Sequence, residues 1–237
     1  SGTTTLVGSA AGPTALRVIG NIDNTASGNI PPRLVSSVGT FRPTAIFASG
    51  NYLYVTNKFN NTLSVIDATN IQSPTTISTV VVGLNPVAVV VSGRYAYVTN
   101  RDSNTMSVVD ISNPAALSVV ATVFTGTSPN TVYVSGKYAY VTNSGTNTVS
   151  IFDIANPSAP TTASTPTVGN NPNSIYVSGK YAYVANYGSN SLSIIDVSNP
   201  SSPTTMSTPA TGTGPQSVYV SGKYAYVANY GSNSLSI

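Results

Sequence analysis

A step of 43 residues runs through most of this chain. Gly50, Gly93, Gly136, Gly179 and Gly222 keep it, and so do Asn57, Asn100, Asn143, Asn186 and Asn229. Pro43, Pro86, Pro129, Pro172 and Pro215 keep it too, as do Asp67, Asp110, Asp153 and Asp196. No insertion interrupts these registers. A chain that repeats one pattern at constant spacing builds one supersecondary unit over and over, each stacked on the next.

The unit from Pro172 to Pro215 shows what is repeated. "NSIYVSG" alternates and ends at a Ser-Gly turn, and "KYAYVAN" alternates again. "YGSN" is a polar loop, "SLSIIDV" a third strand and "SNPSSP" a turn cluster. "TTMSTPAT" is a weaker, polar fourth strand, and Pro209 within it suits an edge, because proline cannot donate to a central ladder. No segment carries a helical period. Four short antiparallel strands in about 40–45 residues make a propeller blade. In the second strand Tyr181 and Tyr183 point one way, Ala182 and Val184 the other. A sheet apolar on both faces must sit between two neighbours. A solenoid of stacked coils is the rival, but its rungs are usually shorter than this repeat.

The fold expected is therefore all-β, one β-propeller domain spanning residues 1–237. Residues 41–237 form the regular repeats and 1–40 a degenerate unit with a closing strand. "PTALRVIGN" at Pro13–Asn21 lines up with "PTAIFASGN" at Pro43–Asn51, an offset of 30 rather than 43. "TTTLVGS" at Thr3–Ser9 resembles a fourth strand, the element absent after Ile237. Six blade positions follow: four complete, one reduced around Leu16–Val38, one shared by both termini. Five blades closed by Arg33–Thr40 are the alternative. A third arrangement pairs the terminal strands between molecules and builds filaments.

Composition narrows function. Only 6% of residues are charged, with nine Lys+Arg against six Asp. No Lys/Arg run exists to make a nucleic-acid patch. No stretch approaches the ~18 apolar residues of a membrane span. Cys, His and Glu are absent, so Ser–His–Asp and Cys–His sets cannot form. No phosphate-cradling glycine motif is present. The expectation is that the protein is not an enzyme and holds no metal or cofactor.

Four of the six carboxylates, Asp67, Asp110, Asp153 and Asp196, end the third strands. Each precedes a turn, where Asp accepts backbone N–H bonds, so they are expected to be turn caps. Arg94, Lys137, Lys180 and Lys223 follow the Ser-Gly turns and would ring one mouth of the axial channel. On the opposite face, the loops between second and third strands begin and end with Asn, while their interiors vary: "KFN", "RDS", "SGT", "YGS", "YGS". A fixed frame with a variable tip suits recognition. Phe59, Arg101, Tyr187 and Tyr230 are the candidate contact residues on these tips.

"YVTN" stands at Tyr54–Asn57, Tyr97–Asn100 and Tyr140–Asn143, and "YVAN" at Tyr183–Asn186 and Tyr226–Asn229. With "NTLSVID", "NTMSVVD" and "NTVSIFD", this resembles the YVTN-type propeller repeats of prokaryotic surface-layer proteins. The turns "DISNPA", "DIANPSAP" and "DVSNPSSP" resemble those of the related LVIVD repeats. The resemblance implies a propeller displayed outside a cell and names no ligand; the location expected is extracellular, at a cell surface or a virion surface. The functional expectation is a binding or adhesion module meeting protein or glycan at a surface. The alternative is a self-assembling subunit of a surface layer, sheath, fibril or virion coat.

Overall fold

The computed structural model describes residues 15–18 and 36–237. All regular structure in it is β-strand. Strands β1 (Ala15–Val18) and β2 (Ser36–Gly39) pair antiparallel as a two-stranded sheet. Unit one holds β3 (Pro43–Ser49), β4 (Tyr52–Asn57), β5 (Thr62–Asp67) and β6 (Thr75–Val81). Unit two holds β7 (Pro86–Ser92), β8 (Tyr95–Asn100), β9 (Thr105–Asp110) and β10 (Ser118–Phe124). Unit three holds β11 (Pro129–Ser135), β12 (Tyr138–Asn143), β13 (Thr148–Asp153) and β14 (Thr161–Ser164). Unit four holds β15 (Pro172–Ser178), β16 (Tyr181–Asn186), β17 (Ser191–Asp196) and β18 (Thr204–Ser207). Unit five holds β19 (Pro215–Ser221), β20 (Tyr224–Asn229) and β21 (Ser234–Ser236).

Each unit is one meandering antiparallel sheet, with its strands hydrogen-bonded in chain order. The first strands β3, β7, β11, β15 and β19 neighbour one another in succession, so they line the axis. The fourth strands lie outermost. β14 and β18 are four residues long where β6 and β10 are seven. Pro166 and Pro209 explain the shortening: neither can donate to the ladder, and their carbonyls accept from Val149 and Leu192 at 3.0 Å each.

The core is a series of seams between blades. Tyr54, Leu63 and Val65 of unit one meet Val89, Val98 and Val109 of unit two. Tyr97, Met106 and Val108 meet Val132, Val141 and Phe152. Tyr140, Val149 and Ile151 meet Ile175, Val184 and Ile195. Ala185 and Leu192 meet Val218 and Val227. Along β16, Val184 enters the seam with unit three and Tyr183 the seam with unit five, the two-faced pattern of the sequence. Val38 of β2 packs on the other side of unit one, against Leu53, Val55 and Ile66. Polar contacts reinforce the seams near the axis. Thr44 donates to the Pro86 carbonyl at 2.5 Å and Thr131 to the Asn173 carbonyl at 2.6 Å.

Five regular units follow the two-stranded β1–β2 sheet, which stands where the reduced unit around Leu16–Val38 is expected. β2, within Arg33–Thr40, pairs with β1 and packs on unit one, and does not complete the sheet of unit five as the five-blade alternative has it. The strand expected at residues 3–9 lies outside the described residues.

Two predictions follow from the seams. Ile151 is fully buried between units three and four. Replacing it with Ala should cost about 2–5 kcal/mol, read from denaturant unfolding. Burial, with Tyr95 and Tyr138 adding to it, pushes the phenols of Tyr97 and Tyr140 from 10.0 up to about 12. A raised folded pKa means the stability is intact below pH 10.0 and is lost as pH rises toward about 12. A tyrosinate absorbance titration should show a late-ionising class, and Tyr97→Phe should soften the alkaline fall in melting temperature.

Candidate functional site

Two sets of loops meet at one end of the axis. Tip loops join the second and third strands of each unit, and entry loops lead into each inner strand. Their geometry begins with the paired asparagines. The first Asn of each tip loop is buried and donates from Nδ2 to two hydroxyls on the third strand. Asn100 reaches Thr105 at 3.1 Å and Ser107 at 2.9 Å; Asn186 reaches Ser191 at 3.1 Å and Ser193 at 2.9 Å. The second Asn takes the left-handed conformation, with φ of 58° at Asn61 and 51° at Asn190. Asn tolerates this region better than most side chains. Its Oδ1 accepts an entry-loop N–H 24 residues on: Asn85 at 2.9 Å from Asn61, Ser128 at 2.8 Å from Asn104, Asn171 at 2.8 Å from Asn147. One Asn fixes the tip to its own sheet and the other ties it to the entry loop.

A glycine completes the clamp, and sequence reading passed over it. Gly83, Gly126, Gly169 and Gly212 lie against the first Asn; a Cβ on Gly169 would sit 2.7 Å from Asn186 Cγ. Its recurrence at the same step, three residues before Pro86, Pro129, Pro172 and Pro215, was the available signal; Thr40 holds the place before Pro43. The entry-loop residue just before that proline is also left-handed: Asn85, Ser128, Asn171 and Gly214 have φ of 54°, 52°, 51° and 64°. Its carbonyl accepts the first tip N–H, from Arg101 at 2.9 Å, Ser144 at 3.0 Å and Tyr187 at 2.9 Å.

The inner strands add a third set. The register between first and second strands slips just after each proline. A bulge of this kind re-aims a side chain. The residue following the proline is Thr44, Val87, Asn130, Asn173 and Gln216 in successive units. Arg101 Nη2 donates to Asn130 Oδ1, and Asn130 Nδ2 donates to Asn173 Oδ1 and to its carbonyl. Asn173 Nδ2 donates to Gln216 Oε1 at 2.5 Å and to its carbonyl at 2.9 Å. A guanidinium can only donate, so Arg101 fixes the orientation of every amide after it. Val87 has no polar group, and Arg101 of the same unit supplies the donor there instead.

These three repeat positions line one cavity of about 340 Å³. Arg101, Ser144 and Tyr187 come from the tips, Ser128 and Asn171 from the entry loops, Asn173 and Gln216 from the bulges. Four consecutive blades contribute. The site therefore brings together Arg101 and Tyr187 of the four expected contact residues. Phe59, 72% exposed, stands apart on the unit-one tip. Tyr230 lines a second cavity of about 400 Å³ with Ala228, Ser234 and Leu235, and Gln216 borders both cavities.

The opposite end is self-neutralising. Arg94 pairs with Asp110 at 2.8 Å, Lys137 with Asp153 at 3.2 Å and Lys180 with Asp196 at 3.5 Å. Arg94, Lys137, Lys180 and Lys223 each lie 5.1–5.4 Å from the centroid of the following tyrosine ring. The aspartates also accept the backbone N–H two residues on: Thr69, Ser112, Ala155 and Ser198, at 2.8–2.9 Å from Asp67, Asp110, Asp153 and Asp196. Bonds from Arg94, then from Ser112, hold the Asp110 carboxyl down to about 2. The described residues contain no cluster of three or more metal-ligating side chains. They include no helix long and apolar enough to cross a membrane.

The LVIVD repeat model matches residues 44–82, 87–125, 128–166, 170–211 and 214–237. The chain belongs to the LVIVD repeat family. No curated protein matches it. Among solved structures, a "putative 6-phosphogluconolactonase" of Bacteroides uniformis has a TM-score of 0.79 at 20% identity, covering 93% of this chain and 72% of that one. A functionally unknown protein of Desulfotomaculum acetoxidans has a TM-score of 0.73 at 19% identity, covering 86% and 71%. The periplasmic gluconolactonase of Pseudomonas aeruginosa has a TM-score of 0.64 at 20% identity, covering 72% and 54%. At these identities the likeness shows the fold. It nevertheless overturns the expectation that the chain is not an enzyme, because proteins named as lactonases are built on this frame. The exclusion rested on missing His and Cys nucleophiles. Opening a cyclic ester needs only a polarised carbonyl and an activated water, for which other side chains serve.

The clamp yields a prediction. Asn186→Ala removes the two bonds to the buried Ser191 and Ser193 hydroxyls and should lower stability by about 1–3 kcal/mol. Gly169→Ala forces its Cβ into Asn186 and should cost about 1–3 kcal/mol. Thermal unfolding of both variants checks this; a neutral Gly169→Ala would show that the loops do not approach this closely.

Proposed function

We propose that this LVIVD-repeat propeller is a recognition module whose axial cavity takes a small, hydroxyl-rich ligand, a sugar or sugar-derived group presented at a surface. The observation that carries this reading is the convergence of three repeat positions from four blades on one polar cavity. Its volume falls within the ~300–1,000 Å³ usual for small-molecule sites. Amides and hydroxyls on a rigid frame match a ligand that is mostly hydroxyl. Tyr187, at the rim, offers the aromatic surface on which a sugar ring can lie. Two solved neighbours carry gluconolactonase in their names, which agrees with a pocket of this chemistry. Display outside the cell belongs to the same proposal, since the tips then face surface partners.

A glycan array probed with the wild-type chain tests this. Binding should appear and should be lost in Arg101→Ala and Tyr187→Ala, while Lys137→Ala at the opposite end leaves it intact. Silence of the wild type across saccharides and sugar acids would overturn the reading.

A further inference from the structure

The cavity's hydrogen-bond polarity narrows the ligand further, on the footing of the recognition reading above. We infer that the ligand is a sugar acid, its carboxylate held at the Arg101 end and its carbon skeleton lying against Tyr187.

Arg101 is half-buried, and its Nε is buried without a partner. Among the described residues the ion pairs are those of Arg94, Lys137 and Lys180, all at the other end, so Arg101 faces the cavity with its charge uncompensated. A guanidinium in such a setting is a fork for a carboxylate. The amides continue the same polarity. Asn130, Asn173 and Gln216 are aligned head to tail by Arg101, each spending its oxygen on the donor before it. The run ends at Gln216, whose NH2 group is the last donor of a chain begun by a cation. Such chains strengthen as they lengthen. The cavity therefore presents donors at both ends and asks for a ligand rich in acceptors.

Charge is distributed to match. Arg42, Lys58 and Arg101 occupy entry and tip positions in units one and two, and Tyr187 and Tyr230 occupy tip positions in units four and five. On the first side the three cations outnumber Asp102, which accepts from Asn85 Nδ2 at 2.9 Å, and Phe59 stands among them; on the other side the tips carry the two tyrosines and no charged residue. Tyr187 is held in place by Gly214, where a Cβ would lie 3.1 Å from Tyr187 Cε2. Gly214 itself is left-handed and donates to Asn190 Oδ1 at 2.8 Å. An acid group on the cationic side and a ring or chain over the tyrosine fit this asymmetry; a neutral sugar leaves Arg101 unpaired.

Calorimetric titration with matched pairs tests it: gluconate against glucitol, and galacturonate against galactose, which differ in the carboxylate. The acids should bind and the neutral partners should bind at least tenfold more weakly, roughly the 10- to 100-fold worth of a charge-assisted bond. Arg101→Met should erase the acid preference, while Gly214→Ala, which displaces Tyr187, should weaken acid and neutral ligands alike. Circular dichroism melting confirms that both variants fold; if Arg101→Met does not, Arg101→Lys, which keeps the charge but loses the fork, should retain only part of the preference. Equal binding of acids and neutral sugars, unaffected by Arg101→Met, overturns the carboxylate assignment and leaves the recognition site standing. Binding of neither class, with a silent glycan array, overturns both.

Discussion

A four-stranded sheet with apolar side chains on both faces cannot stand in water, and the rest of this molecule is the solution to that constraint. Tyr54, Tyr97, Tyr140 and Tyr183 fill one face of each second strand, and Ala96, Ala139 and Ala182 leave room on the other. Large against small across a seam is how two similar sheets come together at interior packing density. Because every seam uses the same positions, the sheets must fan about an axis. The polar loops are thereby gathered at its two ends.

Those ends differ in chemistry. At the inner hairpin turns, Arg94, Lys137 and Lys180 each have an aspartate of their own blade and a tyrosine ring within reach, and Lys223 has the ring of Tyr224, so most of the charge is satisfied locally. At the tip end, the frame comes from asparagine and glycine, which carry no charge and leave the tip and bulge residues to vary. The division follows from strand direction. Hairpin turns join strands of one sheet and need only a cap, whereas entry loops cross from the outer strand to the next inner strand. Those crossings bring side chains of neighbouring units side by side.

Much of the fold was legible because the repeat is strict. The step in Gly, Asn, Pro and Asp marks the turns, and the Tyr/Ala alternation marks a sheet buried on both sides. Less of the site was legible. That the two asparagines of a tip bind different elements depends on long-range contacts: Asn61 reaches Asn85, 24 residues on, in another unit. The bulge that re-aims Asn130, Asn173 and Gln216 shifts the alternation by one residue, but at the very start of the strand, between Pro172 and Ser174 in unit four, where too few residues precede it for an apolar/polar pattern to register the shift. Aromatic character alone selected Phe59 and Tyr230 alongside Tyr187, yet Tyr187 alone of the three falls at the cavity where tip, entry-loop and bulge residues converge. Judging catalysis by the nucleophiles present addressed one reaction class alone.

The seams have an evolutionary consequence. Units four and five share the stretch "YVSGKYAYVANYGSNSLSI" at Tyr176–Ile194 and Tyr219–Ile237, so either could pack where the other does. Copies that are interchangeable in packing are also interchangeable in genetic recombination. A gene of this kind can gain or lose a whole blade by unequal crossing-over without creating a mismatched interface. Each new copy brings a tip and a bulge residue free to drift, so diversity can accumulate at the axial cavity while the frame around it stays constant.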